Sequence, residues 1–497
     1  PDEEKFLMSP QRPIILLRRK PESTIAHSVA PSNKYLGVMV PYTPLHYVIL
    51  AESRMVLVMT SGNITEEPIA MENEEGLRRL GYIADYFLLH NRDIYSRYDD
   101  SVARVFDGEL MMLRRARSFA PFPIHLPFKS QPILATGPEL KNTFCLTKDN
   151  YAFVSQHIGD MENLETEEHF KTTLELYRRL FRIDPKIVAY DLHPEYLSTK
   201  YAKSLENVEL VGVQHHFAHT VSCMVENGVK DKVIGISFDG LGYGTDGAIW
   251  GGEVLVADWK NFRRAAHLRY VPMPGGAAAI KKPYRMAFGY LYSFFGDGYK
   301  NFDLEYLENL NEVEERIMKQ QIDKGINSPL TSSCGRLFDA VSSLCRVRDE
   351  VFYEGEAAID LEMLADEDEK GSYPFDIKPG NESLVIDTKP VIEAVVKDLQ
   401  DKVDVSTISA KFHNTVVEII CRICEQIRDS EEINRVALGG GVFQNFFLFT
   451  RALKKLRGNG FEVYYHKKVP ANDGGISLGQ VVVANESVKD TNNENFV

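Results

Sequence analysis

The chain has 497 residues, of which 44% are apolar and 26% charged, an ordinary globular composition with room for two or more domains and a core in each. No run approaches about 18 uninterrupted apolar residues, and the start, Pro1-Asp2-Glu3-Glu4-Lys5, carries no signal-peptide pattern; with six Cys outside any paired framework, the expectation is a cytoplasmic protein with no membrane partner. The net charge of −14 falls after residue 130, since residues 1–130 hold 16 basic and 16 acidic side chains and the rest hold 41 and 55; phosphate backbones are repelled, and nucleic acid is not the expected partner.

The segment to about residue 128 reads as mixed α/β. Strands are predicted at Arg12–Leu17, Leu36–Val40 and Val56–Thr60, and helices near 44–51 and 73–81. Its polar punctuation is Thr60-Ser61-Gly62-Asn63, Arg97-Tyr98-Asp99-Asp100-Ser101 and Leu113-Arg114-Arg115-Ala116-Arg117. A hydroxyl–Gly–amide turn at a strand end offers backbone N–H groups to a phosphate, and Arg side chains pair with the same anion. An Asn-Gly-type loop and a solvated basic strand explain these residues equally well. The proline-rich stretch Ala120–Phe128 predicts a stiff linker packed on a surface.

From about 132 a weak internal repeat follows. Pro132–Gly137 leads into Leu140–Thr147, and Val233–Gly240 leads into Ala248–Val256, each as strand, polar turn, strand. Two such halves predict an actin/hexokinase-like double fold with nucleotide between them, against the alternative of two unrelated hairpins. Turns of this kind grip phosphates through backbone N–H groups, and Lys141 would add charge.

Gln214-His215-His216-Phe217-Ala218-His219 lies in a helical pattern, and a spacing of four puts His215 and His219 on one face within reach of one metal ion. Asp239 and Asp473 follow strand-like runs; with them the imidazoles would suit iron, zinc or manganese with an open position. A histidine-rich helix end that only satisfies core hydrogen bonds fits equally. A zinc-protease motif fits poorly, because His216 stands where its Glu would be.

Lys282 and Arg285 follow Pro272-Met273-Pro274-Gly275-Gly276 and are expected on a loop beside the cleft or on solvated surface. Asp339, in an apolar helical run, is either a buried cap or a ribose ligand. Cys421 and Cys424 form a CxxC inside a helical pattern and are expected to pack in the core. Arg435–Leu438 is strand-like and runs into Gly439-Gly440-Gly441-Val442-Phe443-Gln444-Asn445 and then a helix. Three glycines there let backbone lie flat against a nucleotide, with Asn445 near its phosphate or ribose. It is neither a Walker loop nor a GxGxxG.

Ser9–Pro13, Thr60–Asn63, Asn91-Arg92-Asp93-Ile94 and Arg114–Arg117 resemble the YrdC-like domain of the HypF family of hydrogenase maturation carbamoyltransferases, which makes acyl-adenylates from ATP. The resemblance implies that Ser61, Asn63, Ser101, Arg114 and Arg115 face the adenylate. The family's Lys-Gly-Leu-Gly-Gly segment and the acylphosphatase and zinc-finger modules before it are not in this sequence, so the expectation is a C-terminal portion. Residues 132–480 resemble that family's carbamoyltransferase domain, related to TsaD-like threonylcarbamoyl transferases and antibiotic carbamoyltransferases. The implied architecture is α/β: a partial YrdC-like domain over 1–128, then a duplicated ribonuclease-H-type fold over 129–497 with subdomains at about 132–232 and 233–497.

By the same resemblance His215, His219 and Asp473 hold one transition metal, iron or zinc, with Asp239 as fourth ligand, and Mg2+ accompanies ATP. Adenylate phosphate is implied near Lys141, Asn142 and Gly439–Gly441, and ribose or adenine near Asp339, Gly355, Glu356 and Asn445. The implied reaction forms carbamoyl-adenylate from ATP and carbamate, the latter from carbamoyl phosphate. The carbamoyl group passes to the C-terminal Cys of HypE for cyanide ligand synthesis in nickel–iron hydrogenase, with Lys282 or Arg285 lowering the thiol pKa. Alternatives are a tRNA threonylcarbamoyl transferase, a sugar-kinase-like ATPase, which would not need the two histidines, and an idle nucleotide-gated scaffold.

Overall fold

The computed structural model describes residues 2–65 and 67–494 and divides into two compact units. The first comprises Pro1–Val213, Val225–Val229 and His466–Val497, and the second Gln214–Met224 and Lys230–Tyr465.

In the first unit, β1 (Ile14–Arg18), β2 (Tyr35–Val38), β3 (Val102–Phe106) and β4 (Glu109–Arg114) form a sheet in the order β2-β1-β3-β4. Ile15, Ala103 and Met112 close its core. The two expected helices form at Pro44–Ser53, capped by Thr43, and at Asn73–Leu80, with a capping box between Glu72 and Glu75. The expected strand at Val56–Thr60 does not form, and Val56 and Val58 are 83% and 76% exposed. Its apolar run suits a strand, but a strand persists only where a neighbour takes its backbone groups, and among the described residues none does.

The second sheet of this unit contains β5 (Ile124–Ser130), β6 (Ile133–Ala135), β7 (Cys145–Val154), β8 (Ile187–Asp191) and β9 (Glu209–Val213), ordered β5-β7-β6-β8-β9. The proline-rich stretch expected as a linker therefore enters β5; Pro127 is tolerated because β5 is an edge. Gly137 makes the β6–β7 turn possible: its φ is 72°, and a Cβ would stand 2.0 Å from the Thr143 carbonyl oxygen. Helix Leu164–Phe181 packs Phe170 and Tyr177 on Phe144, and helix Ile476–Glu494 lies across β6, β7, β8 and β9.

The second unit is built on β10 (Val233–Tyr243), β11 (Ile249–Ala257), β12 (Phe262–Leu268), β13 (Val271–Pro272), β14 (Leu330–Thr331), β15 (Asp376–Pro379), β16 (Leu384–Asp387), β17 (Arg435–Gly439) and β18 (Glu462–Tyr465). The main path is β15-β16-β12-β11-β10-β17-β18. Strands β10, β11 and β12 are antiparallel, while β17 and β18 run parallel to β10 and are joined through helix Phe446–Gly458.

The two larger sheets share one plan. A hairpin (β6–β7, β10–β11) is flanked by a third antiparallel strand (β5, β12) on one side and two parallel strands on the other. Within that plan the third strand precedes the hairpin in one copy and follows it in the other, and the second sheet adds β13, β14, β15 and β16. This is the duplicated ribonuclease-H-type architecture that the repeat predicts.

Candidate metal and nucleotide site

Helix His215–Glu226 starts where β9 ends. Gln214 fastens its first turn, the side-chain oxygen accepting from the Phe217 N–H at 2.8 Å. His215, His216 and His219 are fully buried, and the spacing of four brings the His215 and His219 ring centroids to 5.1 Å.

Asp239 lies inside β10, where the register against β11 slips between Phe238 and Gly242. Such a bulge re-aims side chains. Its Oδ2 stands 3.3 Å from His215 Nε2 and 3.4 Å from His219 Nε2, and its Oδ1 accepts from the Gly441 N–H at 2.8 Å. Burial pushes the carboxyl up, but hydrogen bonds to the two imidazoles outweigh it and hold Asp239 well below the usual carboxylate range. The three side chains each offer a ligand atom, all within 4.8 Å of one another. Two neutral nitrogens and a carboxylate oxygen at that separation fit a borderline divalent ion. His216 turns to Gln214, 3.2 Å from its Nδ1, and burial pushes its pKa well below the ordinary value.

Asp473 belongs to the first unit and opens the short turn Asp473–Gly475. Asn472 accepts from the Gly474 N–H at 3.0 Å and donates to the Leu113 carbonyl at 3.3 Å, while Thr143 donates to the Gly474 carbonyl at 3.0 Å. The turn is thereby fixed to β4 and to the β6–β7 hairpin. The strap before it is held by the buried carboxylate of Glu226, which accepts from the N–H groups of Lys467 and Lys468 at 2.5 and 2.6 Å. No sequence signal marks Glu226.

The glycine loop touches protein first. Gly440 has φ 97°, and a Cβ there would stand 2.1 Å from the Phe238 carbonyl oxygen; at Gly439 it would stand 3.2 Å from the His219 oxygen. Asn445 caps helix Phe446–Gly458 through the Leu448 N–H at 2.9 Å and meets His413 Nε2 at 2.8 Å. Gly355, with φ 78°, precedes helix Glu356–Leu364, and the buried Glu356 accepts from the Phe352 N–H at 2.6 Å.

Helix Cys334–Leu344 is capped by Ser333, whose Oγ also donates to the carbonyls of Asp239 and Gly240 at 3.0 and 2.6 Å. Asp339 is buried in it beside Arg336, and burial pushes its carboxyl up to about 6. Arg336, a cation in the same apolar run as Asp339, is as unusual there as the carboxylate.

In the first unit, Lys141 takes a left-handed turn and its N–H donates to Asp160 at 2.7 Å. Asn142 braces the hairpin, donating to the carbonyls of Thr136 and Pro138 at 3.0 and 2.6 Å. Ser61 and Asn63 bond to each other at 2.5 Å on a loop. Ser101 is buried between the Ala116 N–H and the Arg117 carbonyl, and Arg115 donates to the carbonyls of Val154, Phe119 and Phe122. Arg114 remains exposed.

Lys282 and Arg285 pair with Glu350 at 3.4 Å and Glu314 at 3.8 Å. Tyr284 and Glu350 push the Lys282 pKa up, so it holds its proton more firmly. The CxxC is buried on helix Val405–Glu431, and burial pushes the Cys421 thiol up to about 12. Among the described residues no metal-ligand group includes a cysteine.

Two successive sheets of one plan, the second carrying a histidine–aspartate group fastened to a glycine loop, match family models of the Kae1-like class. A model described as "Carbamoyltransferase, Kae1-like Domain, second subdomain" matches residues 235–480, and "HypF Kae1-like domain" matches 128–226. A Sua5/YciO/YrdC model, described as "Telomere recombination", matches 1–116. The chain belongs to the HypF carbamoyltransferase family. It is 38% identical over 495 residues to "Carbamoyltransferase HypF" of Synechocystis, spanning 97% of this chain and 64% of that relative's length. A "Carbamoyltransferase HypF homolog" of Cupriavidus necator is 31% identical, covering 71% of this chain and 91% of its own. The crystal structure of full-length HypF in a phosphate- and nucleotide-bound form superposes with TM-score 0.93 at 47% identity, covering 98% of this chain and 76% of that one. T. kodakarensis HypF gives 0.91 at 34%, covering 99% and 65%.

Proposed function

We propose that this chain is an ATP-dependent carbamoyltransferase of hydrogenase maturation, using carbamoyl-adenylate made from ATP and carbamate, itself from carbamoyl phosphate. The carbamoyl group passes to the C-terminal Cys thiol of HypE and feeds cyanide ligand synthesis. The observation that carries the reading is Asp239: one oxygen faces two imidazoles and the other is held by the glycine loop, so the histidine pair and the glycine loop share one carboxylate. Family membership supports it, and the cytoplasm is the proposed compartment.

His215, His219 and Asp239 would hold an iron or zinc ion, with Asp473 as the fourth ligand. When bound, the metal supplies Lewis-acid polarisation and a template for the adenylate. Lys141, Asn142 and Gly439–Gly441 are assigned to the phosphate, which also brings Mg2+. Asp339, Gly355, Glu356 and Asn445 are assigned to the nucleoside, and Ser61, Asn63, Ser101, Arg114 and Arg115 to the adenylate of the YrdC-like part. Of the last group Arg114 has the freest guanidinium, because carbonyls already occupy Arg115.

In transfer, the acceptor sulfur forms a bond to the carbamoyl carbon, the bond from that carbon to the phosphate oxygen breaks, and AMP leaves. The thiol proton goes to solvent or a basic group, and fixed positions of donor and thiol about 3–3.5 Å apart supply most of the advantage. Lys282 and Arg285 are the cations assigned to lower the thiol pKa, Lys282 from an exposed ion pair with Glu350 and Arg285 from a largely buried position on helix Pro283–Phe295 beside Glu314, pairs that a docking tail would have to displace. The test is to give this chain chemically made carbamoyl-adenylate and HypE. Mass spectrometry is expected to show one carbamoyl group on the terminal Cys; transfer surviving deletion of that Cys, or going to tRNA, overturns the reading.

A further inference from the structure

Glu226 is the last residue of the helix that carries His215 and His219, and its side chain is 1% exposed. Two costs oppose a carboxylate there. Burial strips it of water, and the unpaired carbonyls at a helix C-terminus favour a cation over an anion. Such a charge is stable only where donors converge on it.

Three do, from consecutive residues. The carboxylate accepts from the N–H groups of Lys467, Lys468 and Val469 at 2.5, 2.6 and 3.4 Å, and His466 Nδ1 stands 3.2 Å away. Residues 466–472 form neither helix nor strand, so no ladder supplies acceptors for these N–H groups. The charge also acts on the buried Arg115, opposing the downward push of burial on its pKa, although the Arg115 hydrogen bonds go to carbonyls.

The anchored strap leads directly to the turn of Asp473. Val469 is fully buried, and Pro470 follows it with a φ fixed by its ring. Gly475 lies so close to Pro470 that a Cβ would stand 2.3 Å from the Pro470 carbonyl oxygen, and its N–H donates to the Asn472 carbonyl at 2.9 Å. The turn Asp473–Gly475 thus packs against a segment whose position Glu226 sets just upstream.

We propose that Glu226 is a positioning residue for the metal centre, acting through the strap to fix the carboxylate of Asp473; the inference rests on the metal reading above, in which Asp473 is the fourth ligand. An apolar side chain in its place would pack against the strap but leave three N–H groups without this acceptor, and a metal ligand tolerates little displacement. Were Glu226 only a prop for the fold, its loss would act on metal affinity independently of Asp473.

Competition with a chromophoric chelator gives the Zn2+ affinity, and Co2+ absorption reports the ligand sphere. Glu226→Gln is expected to weaken Zn2+ binding about tenfold or more, the scale for losing a group that orients a ligand, and to change the Co2+ spectrum as Asp473→Ala does. Glu226→Asp, which keeps the charge on a shorter arm and serves if the Gln variant does not fold, should weaken binding in the same direction by less. In the Asp473→Ala background the Glu226 change should cost no further affinity, because the ligand it acts through is gone. Losses that multiply in the double variant, native affinity in a folded Glu226 variant, or native affinity in Asp473→Ala overturn the assignment. Native chain that takes up neither ion sinks the metal reading itself, a distinct result.

Discussion

Asp239 shows at the residue scale how a single carboxylate can serve two elements. Its two oxygens face different neighbours, and removing either neighbour leaves a buried anion short of a partner. His215 and His219 depend on it in turn. Purified chain should carry about one transition metal, since the ligands make one site. The double variant His215→Ala, His219→Ala should lose it with the circular dichroism unchanged; metal retained in that variant by elemental analysis would place the site elsewhere. Asp339 allows a pH prediction. Its folded-state pKa of about 6 lies above the ordinary carboxyl value of 3.8, so the folded chain binds that proton more tightly than the unfolded one. The contribution is therefore complete below the ordinary value and is lost as pH rises through about 6. Asp339→Asn should flatten the stability slope between roughly pH 4 and 6 in denaturant titrations; an unchanged slope would mean that other groups set it.

At the element scale the glycine loop is the part whose role the geometry changes most. Sequence reasoning places Gly440 against a phosphate, where a side chain would weaken ATP binding. In the fold its missing Cβ first makes room for the Phe238 carbonyl of β10, in a left-handed conformation. Gly440→Val is thus expected to destabilise the chain by more than about 2 kcal/mol, read as a lowered Tm, before any effect on nucleotide is seen. An unchanged Tm with weakened ATP affinity would restore the simpler reading. The cap of helix Cys334–Leu344 behaves differently. Ser333→Ala removes one cap and two bonds to the turn of Asp239, so it should cost about 1–2 kcal/mol and weaken metal binding in the same variant. Metal affinity equal to that of the native chain would show that the turn is held without it.

On the scale of the whole molecule, metal and fold should be linked. A metal that binds only the native state at a hundred times its Kd adds about 2.7 kcal/mol, so Tm should rise with added metal and fall with chelator. A Tm indifferent to both would mean that no native-state site exists. No helix among the described residues is long and apolar enough to cross a membrane. The net charge of −14 predicts no electrophoretic shift with tRNA at physiological salt.

Much was legible in the chain before any coordinates. The spacing of His215 and His219, the two strand–turn–strand repeats and the glycine turn between strand and helix are local patterns, and local geometry alone puts their side chains on common faces. Family resemblance added roles for Gly355 and Glu356. What only the tertiary structure decided is which distant group meets which. Gly441 reaches Asp239 across 202 positions of sequence, Asp239 reaches His215 across 24, and Arg115 reaches the Val154 carbonyl of β7 across 39. Val56–Thr60 has a strand's apolar run but no bonding neighbour among the described residues, while Ala120–Phe128 looks like a linker and runs into strand Ile124–Ser130 because β7 accepts it. Periodicity determines a residue's face; the pairing of backbone groups and the burial of charge depend on chain closure over long distances, and no short window of sequence contains that information.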